Sequence, residues 1–243
     1  LLLLVQQFVE KGDVAQLLRH PVEQVEQGRI GSRDMDRHDR RVVFARQRRR
    51  RRGPFRIGQG AVLRQETRGP RGRGPLDVGT LVDAVAPGPL LLVGSSMGGW
   101  VALLVAQALG DRVIGLVGIA AAPDFTDWGL ALTDAERAAL AAHGRIERPS
   151  DYGDGPYIYT RALIEDGQRQ RLLGRLVAID APVRLLHGQC DDAVPWQIGL
   201  DIAAAVRSSD VQVTFIKDGD HRLSRPADID LLLATVAGLL ESH

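Results

Sequence analysis

Three places in this chain carry residues able to do nucleophilic chemistry together. The first is Gly94-Ser95-Ser96-Met97-Gly98. A serine hydroxyl attacks well when a sharp turn holds it clear of the backbone, and such a turn needs small neighbours two residues to either side. Gly94 and Gly98 meet that need around Ser96. The second is the acidic pair Asp191-Asp192, suited to orienting a histidine, with Asp191 the better candidate and Asp192 the second. The third is His221, in Asp218-Gly219-Asp220-His221. A histidine against a serine takes its proton as general base, and a carboxylate behind it steadies the imidazolium. Each place also has a plainer reading. A glycine turn lets a helix pack on a strand, acids favour a helix N-terminus, and a histidine can serve structure alone.

The elements that must position these residues are legible in the apolar pattern. Leu90 to Val93 is an apolar run of strand length, and a helical pattern over Trp100 to Leu109 ends at Gly110, so Ser96 falls on a strand-turn-helix elbow. The opening of that helix aims the Met97 amide at charge developing on a substrate carbonyl, which supplies half an oxyanion hole. The second donor is unassigned. Arg112 to Ala122 reads as a buried parallel strand, and Ala181 to His187 as the strand ahead of Asp191. Pro195 opens a helix over Trp196 to Arg207, Val211 to Ile216 is the strand ahead of His221, and a helix over Pro226 to Leu240 follows. The three sites thus follow three strands, in the order serine, acid, histidine.

Between the strands lies an excursion over about 124–175. Thr133-Asp134-Ala135-Glu136 is a capping box for a helix stopping near Gly144, 151–157 is loop, and Thr160 to Leu173 is helical. Its aromatics, Phe125, Trp128, Tyr152, Tyr157 and Tyr159, either line an apolar acyl pocket under a small cap or pack lid helices on the sheet. Trp100, Trp128 and Tyr157 are the substrate-binding candidates. Cys190 is expected to be a small buried filler, since its acidic neighbours disfavour a thiolate.

Composition bounds the function. The 243 residues suit one α/β domain, and a net charge of +1 gives the whole chain no strong pull towards nucleic acid or anionic membrane. One cysteine excludes an internal disulfide and fits a reducing, cytoplasmic setting. No stretch approaches the roughly 18 apolar residues of a membrane span. The opening LLLLV has no basic residues before it and does not read as a signal peptide; the chain begins without Met, as a fragment or processed start does. No cofactor or metal is expected, and oligomeric state is not readable.

Residues 1–75 differ from the rest, with arginines filling Arg48 to Arg52 and recurring in RGPRGRGP. Clustered guanidinium groups suit a nucleic-acid arm, but no aromatic interleaving or binding fold accompanies them, so a solvated or disordered basic stretch is the reading. The alternative is a shifted reading frame, because apart from a helical pattern over Val14 to Val25 neither period runs far here. Leu76 to Val85 is a further helix candidate.

Five stretches carry a family resemblance: Val93 to Trp100 (VGSSMGGW), Gly115 to Thr126 (GLVGIAAAPDFT), Tyr152 to Gly167 (YGDGPYIYTRALIEDG), His187 to Trp196 (HGQCDDAVPW) and Lys217 to Pro226 (KDGDHRLSRP). On these, from about Leu76 onward, the chain resembles the α/β hydrolase superfamily, and within it the small bacterial hydrolases related to a mitochondrial palmitoyl-protein thioesterase that also cleaves acyl glucuronides. The resemblance implies a mostly parallel sheet with helices on both faces and a small helical cap. It implies Ser96 as nucleophile, His221 as base, Asp191 as acid, and an acyl ester or thioester as substrate. Such enzymes carry, ahead of the nucleophile, a strand whose loop gives the second oxyanion amide. Neither strand nor loop is read in 1–75, so the N-terminal strands are expected to be atypical or missing, and a catalytically impaired remnant is the competing class.

Overall fold

The computed structural model describes the backbone of residues 2–6 and 42–45, and residues 88–149 and 156–242 in full. The Arg48 to Arg52 tract, the helix candidates at Val14 to Val25 and Leu76 to Val85, and Tyr152 lie outside the described residues.

Continuous apolar runs that bury both faces make strands of a parallel sheet. Six strands assemble: β1 (Leu2–Gln6), β2 (Val42–Ala45), β3 (Leu90–Ser95), β4 (Val113–Ile119), β7 (Val183–Gly188) and β8 (Val211–Ile216), of which β3, β4 and β7 are buried in this way and β8 is partly exposed. They lie in the order β2-β1-β3-β4-β7-β8, every pair parallel. Within β3 the side chains alternate between faces, as strand geometry requires. Leu90 and Leu92 join a core with Trp100, Leu103, Ile198 and Ile202 on one face. Leu91 and Val93 join Leu231, Leu232, Val236 and Leu239 on the other. Helices α1 (Met97–Leu109) and α5 (Gln197–Ala205) therefore cover one face, and α6 (Pro226–Glu241) the other.

The strand order has a consequence for the site. The chain runs outward from β1 to β2, then returns to lay β3 on the other side of β1. Ligands of open α/β sheets bind at such a reversal, outside the carboxyl ends of the strands. Gln6, which ends β1, pairs with Ser95, which ends β3. The opening apolar run, to which the sequence assigns no element, is thus the neighbour of the nucleophile strand, and β2 is the strand beyond it.

Between β4 and β7 the chain leaves the sheet to build the cap. Its elements are α2 (Phe125–Trp128), α3 (Asp134–His143), the antiparallel pair β5 (Arg145–Arg148) and β6 (Tyr157–Thr160), and α4 (Arg161–Arg169). Thr133 opens α3 as expected: its Oγ1 accepts from the Glu136 amide at 3.2 Å, and Glu136 Oε2 accepts from the Thr133 amide at 2.8 Å. Gly144 ends α3 with φ of 71°. The strand pair is an addition to the helical cap expected from sequence. RIER and YIYT are too short and too polar to announce themselves.

One carboxylate ties the two ends of the cap together. Asp124 is 2% exposed, and its Oδ1 and Oδ2 accept from the amides of Leu172 and Leu173, both at 2.8 Å. Burial raises its pKa above the ordinary aspartate value, against the lowering effect of those two amides. Asp124→Ala leaves both amides without their acceptor, at roughly 1–3 kcal/mol for each buried group. The expected result is a melting temperature lower by about 4–24 °C, read by calorimetry, with the sheet's far-UV signature retained.

Candidate active site

Ser96 stands at the end of β3 with φ of 52° and ψ of −126°, a conformation that costs of order 1–3 kcal/mol for a residue bearing a Cβ. Neighbouring backbone holds it there. Its amide donates to the Ile119 carbonyl at 2.9 Å, and its own carbonyl accepts from Gly99 at 2.9 Å and Ala122 at 3.0 Å. A Cβ on Gly94 would strike the Gly98 carbonyl, whose carbon would lie 2.7 Å away, so the turn closes only over glycine. Gly94→Ala therefore displaces the elbow. A shift of about 1 Å at a reacting group costs about 100-fold, and overpacking costs about 1–3 kcal/mol. The expected result is a serine that reacts about 100-fold more slowly with a phosphonate probe, in a protein that still folds but melts several degrees lower.

The acid and histidine loops meet through a second pair of glycines. A Cβ on Gly188 would strike the Gly219 carbonyl, and one on Gly219 would lie 3.0 Å from the Gly188 Cα. With the loops in contact, the Cys190 amide donates to the Gly219 carbonyl at 2.9 Å. This close approach carries Asp191, just past β7, to His221, just past β8. Asp220 Oδ1 accepts from the amides of Arg222 and Leu223 at 3.0 and 2.9 Å and shapes the turn that presents His221.

His221 lies between the other two residues. Its Nδ1 is 2.9 Å from Asp191 Oδ2 and its Nε2 is 3.1 Å from Ser96 Oγ. A carboxylate oxygen only accepts, so Nδ1 carries the proton and Nε2 presents a lone pair to the serine hydroxyl. The Asp191 side chain is fully buried. Burial alone would raise its pKa, but the hydrogen bonds from His187 and His221 and from the Val194 amide outweigh it and hold the carboxyl below the ordinary aspartate range. A depressed carboxyl contributes stability above its ordinary pKa and loses it only as pH falls below that value. Asp191 is therefore ionised throughout the neutral range.

Met97 is the first residue of α1, whose first-turn amides have no partner within the helix. The second oxyanion donor, unassigned from sequence, is unassigned among the described residues. Asp192 is exposed while Asp191 is the acid that reaches histidine. Cys190 is also exposed, contrary to the expected filler; its Sγ lies 3.6 Å from the Lys217 carbonyl oxygen. The loop is held by its backbone, which leaves that side chain free to point outward.

The cap sits on α1 one turn beyond Ser96. Trp100 is 1% exposed, donates from Nε1 to the Gln170 carbonyl at 3.3 Å, and meets Phe125 edge-on at 5.6 Å. It cements α1 to the cap and shows almost no surface to a ligand, unlike the substrate contact expected of it. Phe125, Tyr159 and Tyr157 continue the series at 6.4 and 6.3 Å between centroids. Tyr157 and Trp128 are half-buried, the latter donating from Nε1 to the Pro123 carbonyl at 2.8 Å. One residue of the site went unread in the sequence. His187, the fifth residue of β7, places Nε2 3.2 Å from Asp191 Oδ2. Its four-residue spacing from Asp191 across a turn was the available signal.

A parallel sheet of this order, with a serine elbow at its reversal and helices on both faces, defines an α/β hydrolase. The chain belongs to the alpha/beta hydrolase family, whose model matches residues 33–230. It is similar to the mitochondrial palmitoyl-protein thioesterase ABHD10 of Mus musculus, at 40% identity over 168 residues, which is 68% of this chain and 56% of the relative. The Homo sapiens protein of the same name is 36% identical over 167 residues, 68% of this chain and 55% of that one. The chain thus spans just over half the length of these curated relatives. Among solved structures, a protein from Agrobacterium vitis S4 superimposes with a TM-score of 0.63 at 42% identity, covering 66% of this chain and 64% of that one. The mouse alpha/beta hydrolase domain-containing protein 10 does so with 0.61 at 39% identity, covering 68% and 67%.

Proposed function

We propose that this chain is a serine hydrolase that cleaves acyl esters or thioesters through an acyl-enzyme, with Ser96 as nucleophile, His221 as general base and Asp191 as the acid behind it. The observation that carries the reading is one imidazole bonded on both sides: His221 Nε2 accepts from the Ser96 hydroxyl at 3.1 Å and Nδ1 donates to Asp191 Oδ2 at 2.9 Å. The thioesterase name of the curated relatives supports the acyl class.

In this mechanism His221 Nε2 takes the Ser96 proton as Oγ bonds to the acyl carbon, and the carbonyl electrons move onto oxygen, facing the Met97 amide. Asp191 stabilises the imidazolium. Collapse breaks the bond to the thiolate or alkoxide, which leaves with the proton from Nε2. Water then attacks the acyl-Ser96 ester, giving its proton to Nε2; the C–Oγ bond breaks, Nε2 returns that proton to Ser96 Oγ, and the carboxylic acid departs. Trp128 and Tyr157, half-buried at the cap, are proposed as walls of the acyl pocket. A reducing compartment is proposed on the single cysteine.

The test is turnover of thioesters and p-nitrophenyl esters of graded acyl length, with rapid quench for the covalent intermediate. A Ser96 peptide heavier by the acyl mass supports the proposal. Turnover that persists in Ser96→Ala at wild-type rate overturns it.

A further inference from the structure

The carboxylate of Asp191 is held by more than its histidine. Its Oδ1 accepts from the amides of Ala193 and Val194 at 2.9 and 2.8 Å. Its Oδ2 accepts from His221 Nδ1 and lies 3.2 Å from Nε2 of His187, a histidine 2% exposed. The second neighbour of that Nε2 is the Val194 carbonyl at 3.0 Å. Both neighbours are oxygens that accept, so Nε2 of His187 carries a proton and shares it between them. Asp191 thus has four polar neighbours, two backbone amides and two imidazole nitrogens.

We propose that His187 is a positioning residue for the reaction: its N–H fixes the Asp191 rotamer and divides the charge of Oδ2 between two imidazoles, tempering the pull that His221 feels. This inference rests on the reading of Ser96, Asp191 and His221 as the reacting set.

The surroundings of His187 make the effect separable. Gly199 of α5 faces its Nδ1 edge, since a Cβ there would lie 3.7 Å from Nδ1, and the same position neighbours Val213 and Phe215 of β8. Just past β4, the Ala120 amide donates to the Leu186 carbonyl beside it. None of these groups titrates. The titratable groups that bear on His187 are Asp191 directly and His221 through it, while Asp192 and Asp201 are exposed. Removing the N–H of His187 leaves Oδ2 with more charge for His221, which favours the imidazolium. It also frees the carboxylate to turn.

The experiment compares wild type with His187→Phe, which keeps a ring of similar size, and His187→Gln, whose Nε2 donates from a similar position. Active serines are counted by fluorophosphonate titration, so misfolded protein does not enter the rates. Expected for His187→Phe are a kcat per active serine lower by about 10- to 100-fold and an acid limb of kcat/KM moved to higher pH by about half a unit or more. Expected for His187→Gln is recovery of most of both. An acid limb that stays in place or moves lower in His187→Phe, or a Gln variant as impaired as Phe, overturns the proposal. A second measurement needs no His187 variant: the His187 Nε2–H proton resonance of the folded protein moves in Asp191→Asn, and an unmoved resonance overturns the proposal. Failure of wild type itself to label would instead strike the reading of Ser96.

Discussion

Ser96→Ala and His221→Ala each lower kcat by roughly 10⁶-fold, the loss seen when either member of such a set is removed. The expected loss is chemical, with the fold left intact. Alanine at position 96 meets the same φ of 52° with a Cβ of the same size, so no new strain enters. Every backbone bond that holds the elbow, to Ile119, Gly99 and Ala122, is untouched. What disappears is the oxygen 3.1 Å from the imidazole. Melting temperature is expected to stay within a degree or two of wild type in Ser96→Ala, and KM to stay near its wild-type value. Residual turnover on the order of 10³- to 10⁴-fold above water is expected from the oxyanion amides and binding alone.

Asp191→Asn is the second large effect, a fall in kcat of about 10⁴-fold at neutral pH. Asparagine can keep an oxygen on the amides of Ala193 and Val194, which anchor the loop at 2.9 and 2.8 Å. Its NH₂ then faces both imidazoles. His221 can no longer donate from Nδ1, so its proton moves to Nε2, where it opposes the serine hydroxyl and cannot accept from it. His187 loses an acceptor at the same point. Steady-state kinetics over pH, beside circular dichroism for the fold, read this effect. Wild-type kcat in a folded Asp191→Asn protein would mean that the carboxylate does not set the tautomer. Asp191→Ala is the poorer probe, because it strands two amides and two histidines and confounds catalysis with folding.

These two effects turn on side chains that each lie just past the carboxyl end of a strand: Ser96 and Asp191 follow near-continuous apolar runs, and His221 follows VQVTFI, in which apolar residues alternate with Gln212 and Thr214. LLLV, VIGLVGI and VRLLH leave little choice of element, and the residues just beyond them had to fall along one edge of the sheet. The capping box at Thr133 was equally plain, since both halves of it are local. Less was legible where the cause is distant in sequence. LLLLV could not be told from a buried helix turn by pattern alone, and becomes a strand because β2 and β3 flank it. The β5–β6 pair depends on Arg145 meeting Thr160 and Arg148 meeting Tyr157, contacts that no local period encodes. Trp100 reads as a ligand contact beside the elbow, and its burial follows from where the cap lands.

His187 shows the same limit at the scale of one side chain. A histidine at the end of an apolar strand carries no mark of what its ring will meet. The four-residue return to Asp191 depends on the turn that Gly188 permits by lying against Gly219. Cys190 makes the converse point, since acidic neighbours that disfavour a thiolate suggested a buried filler, and its side chain is exposed.

The measurement that most directly tests the account is intact-mass analysis of the purified chain after exposure to a fluorophosphonate, with Ser96→Ala alongside. The probe asks for an assembled elbow, a base on the serine and an oxyanion site, and almost nothing of the acyl pocket. The account predicts one adduct per chain, located on the Ser96 peptide and absent from the variant. A folded wild-type chain that takes no label, or a label that persists in Ser96→Ala, would contradict it.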